Sequence, residues 1–285
     1  MRWQGRRGSS NIEDRRRSGA RRGSGGIQIG GLGLVAVVLI GWVLGVDVTP
    51  LLNGTAGDGG WTQEGAELTE QDIQVGEFVS VTLADTEEVW SDIFAQAGGG
   101  YDPATLVLFK GVTQSPCGGA SGATGPFYCP SDRKVYLDTA FFDTLERQLG
   151  AKGDFAAAYV VAHEVAHHVQ NELGILAEAN QMRAKASEAQ SNAISVRIEL
   201  QADCFSGVFA NHAGARFGSI EPGDIAEAMN AARRIGDDTL QRSAGRVPMP
   251  HTFTHGTAAQ REDWFRRGYD AGSIEACDTF AARRL

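Results

Sequence analysis

The longest uninterrupted apolar stretch of the chain covers residues 27–46, twenty positions without a charge and with only Gln28 strongly polar. A helix of that length reaches about 30 Å, the thickness of the hydrocarbon core of a bilayer. Residues 47–70 follow without periodicity, rich in Gly, Thr, Asp and Glu, and read as a flexible linker. From residue 71 to residue 285 the pattern is that of a folded domain. The run 78–83 opens it, and residues 87–97 are spaced like an amphipathic helix ended by three glycines at 98–100. Residues 106–109 and the alternating, β-branched and aromatic run 134–138 predict strands. Between them lies a Gly- and Ser-rich loop over residues 114–126, and a short helix is expected over 141–148.

The second half is helical in pattern. At 100° per residue, Phe155, Ala158, Ala162, Val165 and Val169 fall on one stripe, which predicts a helix from an N-cap at Asp154 to a C-terminal glycine at Gly174. Ile194, Ile198, Ala202, Phe205 and Phe209 stripe a second long helix over 178–211, with a break near 190. A third helix is expected over 222–235 and a short one around Trp264 and Phe265. The fold class is therefore α+β, helix-rich in its C-terminal half, with one N-terminal transmembrane helix added. No internal repeat is visible.

Composition changes this picture little: 285 residues, 42% hydrophobic and 21% charged, fit one domain plus an appendage. Charge changes it more. Residues 1–26 hold eight arginines against Glu13 and Asp14, a surplus of six positive charges, so a net charge of −9 leaves −15 on the rest. An acidic body argues against a nucleic-acid partner. A basic stretch before an apolar span reads as a topology signal. Residues 1–26 would then be a cytoplasmic tail, 27–46 an uncleaved signal-anchor, and 71–285 an extracytoplasmic domain. A cleaved signal peptide is the alternative, but the run is longer than the usual 7–15 apolar residues or so, and no small-x-small site follows. The four cysteines suit an oxidising compartment. Cys117 with Cys129 and Cys204 with Cys277 is the expected pairing; sequence alone does not fix it, and four buried thiols are the alternative.

The candidate chemistry lies on the helix starting near Asp154. His163 and His167 are i and i+4, one turn apart and away from the apolar stripe, so both imidazoles can reach one metal ion. Glu164 points beside that ion, where a carboxylate can take a proton from an activated water and pass it to a leaving nitrogen. This is the physical sense of H-E-x-x-H. An ordinary surface helix is the bland alternative. His168, about 100° round from His167, is expected to support or pack. A catalytic zinc usually takes three protein ligands. Glu199 and Asp203 share a face of the second long helix, so Glu199 is the expected third ligand, and Asp203 the acceptor for a ligand histidine's N–H. Two solvated acids are the alternative. Arg197 is near enough in sequence to balance their charge. For a developing oxyanion the first candidate is His255, then His251, with Tyr159 and Tyr128 behind. The strand over 135–138 could pair with an extended peptide.

Taken together, several segments resemble the neutral zinc metallopeptidase family of bacteria. They are Gly125-Pro126-Phe127-Tyr128-Cys129-Pro130, Val135-Tyr136-Leu137-Asp138, the H-E-x-x-H helix, Gln190-Ser191-Asn192, residues 197–204, His255-Gly256-Thr257 and Gln260-Arg261. The resemblance covers roughly residues 70–285 and the N-terminal anchor. It implies a zincin-like domain of the gluzincin type, with a small sheet over the active-site helix and an edge strand holding substrate. It further implies Zn2+ on His163, His167 and Glu199, with Glu164 as base. The expected function is a membrane-anchored zinc endopeptidase acting on a peptide or protein substrate. A non-catalytic zinc- or peptide-binding envelope protein and a zinc amidase for cell-wall peptides are the rivals. Zinc is preferred over cobalt or manganese on ligand type. Nothing in the sequence sets an oligomeric state.

Overall fold

The computed structural model describes residues 1–17, 67–121 and 124–285. Its main sheet has four strands: β1 (Ile12–Asp14), β2 (Thr105–Phe109), β5 (Phe127–Cys129) and β6 (Lys134–Asp138). Their order is β1-β2-β6-β5. The first three run parallel, with Ile12 opposite Leu106 and Leu106 opposite Val135; β5 runs antiparallel to β6, with Tyr128 opposite Val135. Leu106 to Phe109 and Val135 to Leu137 are all buried, as strands covered on both faces must be. A small hairpin of β3 (Val112–Ser115) and β4 (Gly118–Ser121) occupies what the sequence reads as plain loop. Its turn is tied to β5 by the Cys117–Cys129 disulfide, and Cys204–Cys277 forms as well, so both expected pairings are present.

Eight α-helices make up most of the body among the described residues. Helix α1 (Glu70–Gln96) starts in a capping box of Thr69 and Asp72 and runs 27 residues without interruption. The apolar run 78–83 is thus helix, continuous with the segment expected as a separate helix from residue 87. Its Val79, Leu83 and Trp90 are fully buried. Helix α2 (Ala140–Arg147) leads to α3 (Asp154–Glu172), where Gly153 rather than Asp154 is the N-cap and Gly174 turns left-handed after the end. The long segment after it divides into α4 (Ile175–Arg183) and α5 (Glu188–Phe217). The break falls at 184–187, where Ser187 and Gln190 make a new capping box. Helices α6 (Asp224–Arg234), α7 (Asp237–Ser243) and α8 (Ala258–Ala271) complete the body, with 3₁₀ turns at Pro250–Thr252 and Ile274–Cys277. Helices α5 and α8 touch backbone to backbone. A Cβ on Gly268 would sit 1.8 Å from the Cys204 carbonyl oxygen, and one on Gly207 would sit 2.0 Å from that of Phe265.

The N-terminal segment departs most from expectation. Residues 1–17 lie on the domain: β1 is an edge strand of the main sheet, and Arg2, Arg6 and Arg7 pair with Glu221, Asp85 and Glu88. Arg6 forks onto the buried Asp85 with two contacts of 2.6 Å, Arg7 meets Glu88 at 3.0 Å, and Lys134 reaches Glu13 at 2.7 Å. The Met1 ammonium is fully buried among Asp154 at 2.9 Å, Asp224 at 3.1 Å and Glu221 at 3.3 Å. Arg16 donates to the Asp72 carbonyl on α1, so the chain leaves and re-enters the body at neighbouring points. The strands on either side of residues 18–66, β1 and β2, pair in one sheet. The apolar run 27–46 and the linker to residue 66 lie outside the described residues. Among those described, no helix is long and apolar enough to cross a membrane.

Candidate metal centre

Helices α3 and α5 lie against each other and supply the expected cluster. His163 and His167, one turn apart on α3, have ring centroids 4.8 Å apart. Glu199 on α5 places Oε2 3.1 Å from His163 Nε2 and Oε1 3.6 Å from His167 Nε2. One donor atom from each residue lies within 4.8 Å of the other two. His163 is buried, and His167 and Glu199 are half-buried, so the cluster is walled by protein yet reachable. Glu164 is also buried, and burial raises its carboxyl above the usual range, opposed by the charges of His167 and His163.

The donor set asks for a cation. Asp203 Oδ1 stands 2.9 Å from His163 Nδ1 and can only accept, so that nitrogen carries the hydrogen. His163 Nε2 is then left facing a second acceptor, Glu199 Oε2. Two lone pairs at 3.1 Å need a proton or a metal ion between them. Without metal the proton serves. Burial works against a charged ring, but the bonds to Asp203 and Glu199 outweigh it and push His163 up to about 10. Glu199 goes the other way: burial would raise it, yet His167 and His163 hold it well below the carboxylate range. Two imidazole nitrogens and a carboxylate suit a zinc ion.

Asp203 takes the supporting role expected of it, with partners the sequence did not reveal. Arg261 on α8 forks onto it, Nε to Oδ2 at 2.8 Å and Nη2 to Oδ1 at 3.0 Å. The Tyr159 hydroxyl donates to Oδ1 at 2.5 Å. All three side chains are essentially excluded from water. Burial would raise Asp203, but the Arg261 charge keeps it low. Tyr159 is therefore committed and not free for an oxyanion. Tyr128 is committed too, bonding His168 Nδ1 at 3.1 Å while His168 Nε2 donates to the Asp102 carbonyl at 2.7 Å. His168 is thus a packed link between α3 and β5. Arg197 does not balance the acids; it donates to the carbonyls of Thr279 and Ala282. The strand expected to pair with a peptide, β6, is central between β2 and β5; among the described residues the edges of the sheet are β1 and β5.

His255 lies in the turn before α8, its side chain 40% exposed. Asp237, the first residue of α7, shapes that turn: its Oδ2 accepts the backbone N–H groups of Thr254, His255 and Gly256 at 2.8, 2.7 and 2.9 Å. Its Oδ1 stands 3.3 Å from His255 Nδ1. Gly256, at φ +93°, rests on Val196 and Leu200, one turn before and one residue after Glu199. Burial works against protonating His255, but Asp237 and the nearby Glu199 raise it. His251 sits exposed on the 3₁₀ turn, where its carbonyl accepts from Asn192. Asp237 and Gln170, which meets His167 Nδ1 at 2.9 Å, escaped the sequence reading. The one available signal for Gln170 was its place three residues beyond His167, on the same helix face.

Fold and cluster together define a class: an α+β body with a His–His–Glu candidate metal centre shared by two helices. The family follows from comparison. Residues 1–280 match the model of the family described as "Putative neutral zinc metallopeptidase", and the chain belongs to that family. It is similar to the Escherichia coli K12 protein "Uncharacterized protein YpfJ", 46% identical over 287 residues, covering 98% of this chain and 99% of that one. It is also similar to "Uncharacterized protein Rv2575" of Mycobacterium tuberculosis H37Rv, 43% identical over 220 residues, covering 73% of this chain and 71% of that one. No solved structure matches.

Proposed function

We propose that this chain is a zinc-dependent endopeptidase with a zincin-like catalytic body, acting on peptide or protein substrates. The observation that carries the reading is the convergence of His163, His167 and Glu199 beside a buried, otherwise unused carboxyl, Glu164. A purely structural metal site has no need of that carboxyl. When bound to those three residues, zinc would supply Lewis acidity toward a peptide carbonyl and a water acidified enough to attack it. Glu164 would take a proton from the attacking water and return it to the leaving nitrogen. Asp203, neutralised by Arg261, holds the His163 ring in place. His255 directs Nδ1 at Asp237 and keeps Nε2 for a substrate oxygen. The free edge of β5, tied to α3 through Tyr128 and His168, offers backbone partners to an extended peptide.

We also propose that residues 27–46 attach the body to a membrane, with both flanks of the run on the side of the body. Two disulfides favour an oxidising side, outside the cytoplasm. The catalytic reading is tested with Glu164→Gln. This variant is expected to keep its metal and lose about 100- to 10,000-fold of the hydrolytic rate on a casein-type substrate. A variant as active as wild type would refute the mechanism.

A further inference from the structure

Among the described residues, His167 meets no carboxylate on Nδ1. Its Nδ1 stands 2.9 Å from Gln170 Oε1. An amide can present either end to a neighbour, and an imidazole can carry its hydrogen on either nitrogen, so this contact alone fixes neither group. The rest of the Gln170 environment does. The side chain is fully buried, and its Nε2 lies 2.8 Å from the Ile198 carbonyl oxygen on α5. A carbonyl only accepts, so the NH2 of Gln170 must face Ile198 and the oxygen must face His167. That oxygen in turn requires a hydrogen on His167 Nδ1. In the neutral ring the lone pair of His167 is thereby assigned to Nε2, the atom that faces Glu199.

The second hydrogen of Gln170 Nε2 goes to Gln201 Oε1 at 3.0 Å, and Gln201 Nε2 donates to the Cys277 carbonyl at 3.1 Å. Every polar atom of the two amides is directed, and each relay end is a backbone carbonyl: Ile198 inside α5 and Cys277 beside the Cys204–Cys277 disulfide. The two histidines are therefore oriented by different chemistry. His163 leans on an anion, Asp203, that has its own cation; His167 leans on a neutral amide locked by main chain.

We propose that Gln170 is a positioning residue that fixes the tautomer of His167, with Nδ1 protonated and Nε2 turned to the metal before any metal arrives. This rests on the metallopeptidase reading only in what the prepared nitrogen is for; the tautomer itself is a property of the metal-free chain.

The test is nitrogen-15 NMR of labelled histidine in metal-free protein at neutral to mildly alkaline pH, with zinc titrated afterwards. Wild type is expected to show His167 as the Nδ1–H tautomer. Gln170→Leu removes the acceptor and should move His167 toward the Nε2–H form common for free imidazole. Zinc binding should weaken about 10- to 100-fold. Gln170→Glu keeps an acceptor and should keep the Nδ1–H tautomer. Gln201→Leu, one link further out, serves if Gln170→Leu does not fold, and should shift the tautomer less. An Nε2–H tautomer in wild type, or an unchanged tautomer and zinc affinity in a folded Gln170→Leu, overturns the assignment. Wild type with the Nδ1–H tautomer but no zinc binding would support it while refuting the metallopeptidase reading.

Discussion

At the scale of single residues, the site divides into what spacing can show and what it cannot. His163, Glu164 and His167 were legible because i and i+4 on a helix fix a shared face whatever the helix packs against. Glu199 and Asp203 were legible for the same reason, once a neighbouring helix was assumed. The groups that hold them were not. Arg261 lies 58 positions from Asp203 and Tyr159 lies 44, and only the crossing of α3, α5 and α8 brings them together. Arg197, near in sequence, turned out to serve the C-terminal carbonyls instead. This arrangement makes Arg261 the most consequential residue outside the metal cluster. Arg261→Met leaves Asp203 buried beside His163 with no cation of its own, and should destabilise the fold by about 3–5 kcal/mol in urea unfolding. Arg261→Lys should recover only part, since an ammonium cannot fork onto both carboxylate oxygens. A variant of Arg261→Met as stable as wild type would remove the buried pair from the account.

At the scale of elements, strong periodicity was read correctly and short or fully buried segments were not. Helix α3 shows its stripe plainly and was placed to within a residue or two. The run 78–83 in α1 did not declare itself helical, because that part of the helix is buried on almost every side and its apolar residues, broken at Ser80 and Thr82, show no helical period. Strand β1 is only Ile12, Glu13 and Asp14, too short for alternation to register. Its place is fixed from outside, by pairing with β2 and by the Met1 ammonium set between the first residues of α3 and α6, Asp154 and Asp224. That ammonium gives a signed pH dependence. Burial disfavours the charge, but Asp154 and Asp224 prevail and raise Met1 to about 10, above an ordinary value of 8.0. A folded-state value above the unfolded one means that the contribution is complete below about pH 8 and disappears as pH rises through 10. An acetylated amine, or one or two residues added ahead of Met1, should lower the melting temperature at pH 7 and abolish the part of the alkaline slope due to this group. Equal melting curves for free and blocked chains from pH 7 to 10 would count against it.

At the scale of the whole molecule, charge asymmetry was visible and the ion pairs it makes were not. The sequence shows a basic segment and an acidic body; the structure shows them paired, with Arg6 on Asp85 and Arg7 on Glu88. Among the described residues, the basic segment and the acidic body are complementary parts of one fold. The disulfides were easier, because four cysteines offer few pairings and a loop of 12 residues is an obvious one to close. The three ligand residues come from α3, which packs on β5 and β6, and from α5, which packs on α8 and is tied by Cys204–Cys277 to the 3₁₀ turn that follows α8. The site is thus a product of the entire body rather than of one motif. The measurement that tests this most directly is the zinc content of the intact, folded chain by elemental analysis, for wild type and Glu199→Ala. The account predicts about one zinc per wild-type chain, lost or much weakened in Glu199→Ala while the fold persists. A folded wild type that takes up no zinc, or a Glu199→Ala variant that binds it as tightly as wild type, would contradict the three-residue centre on which the proposed function stands.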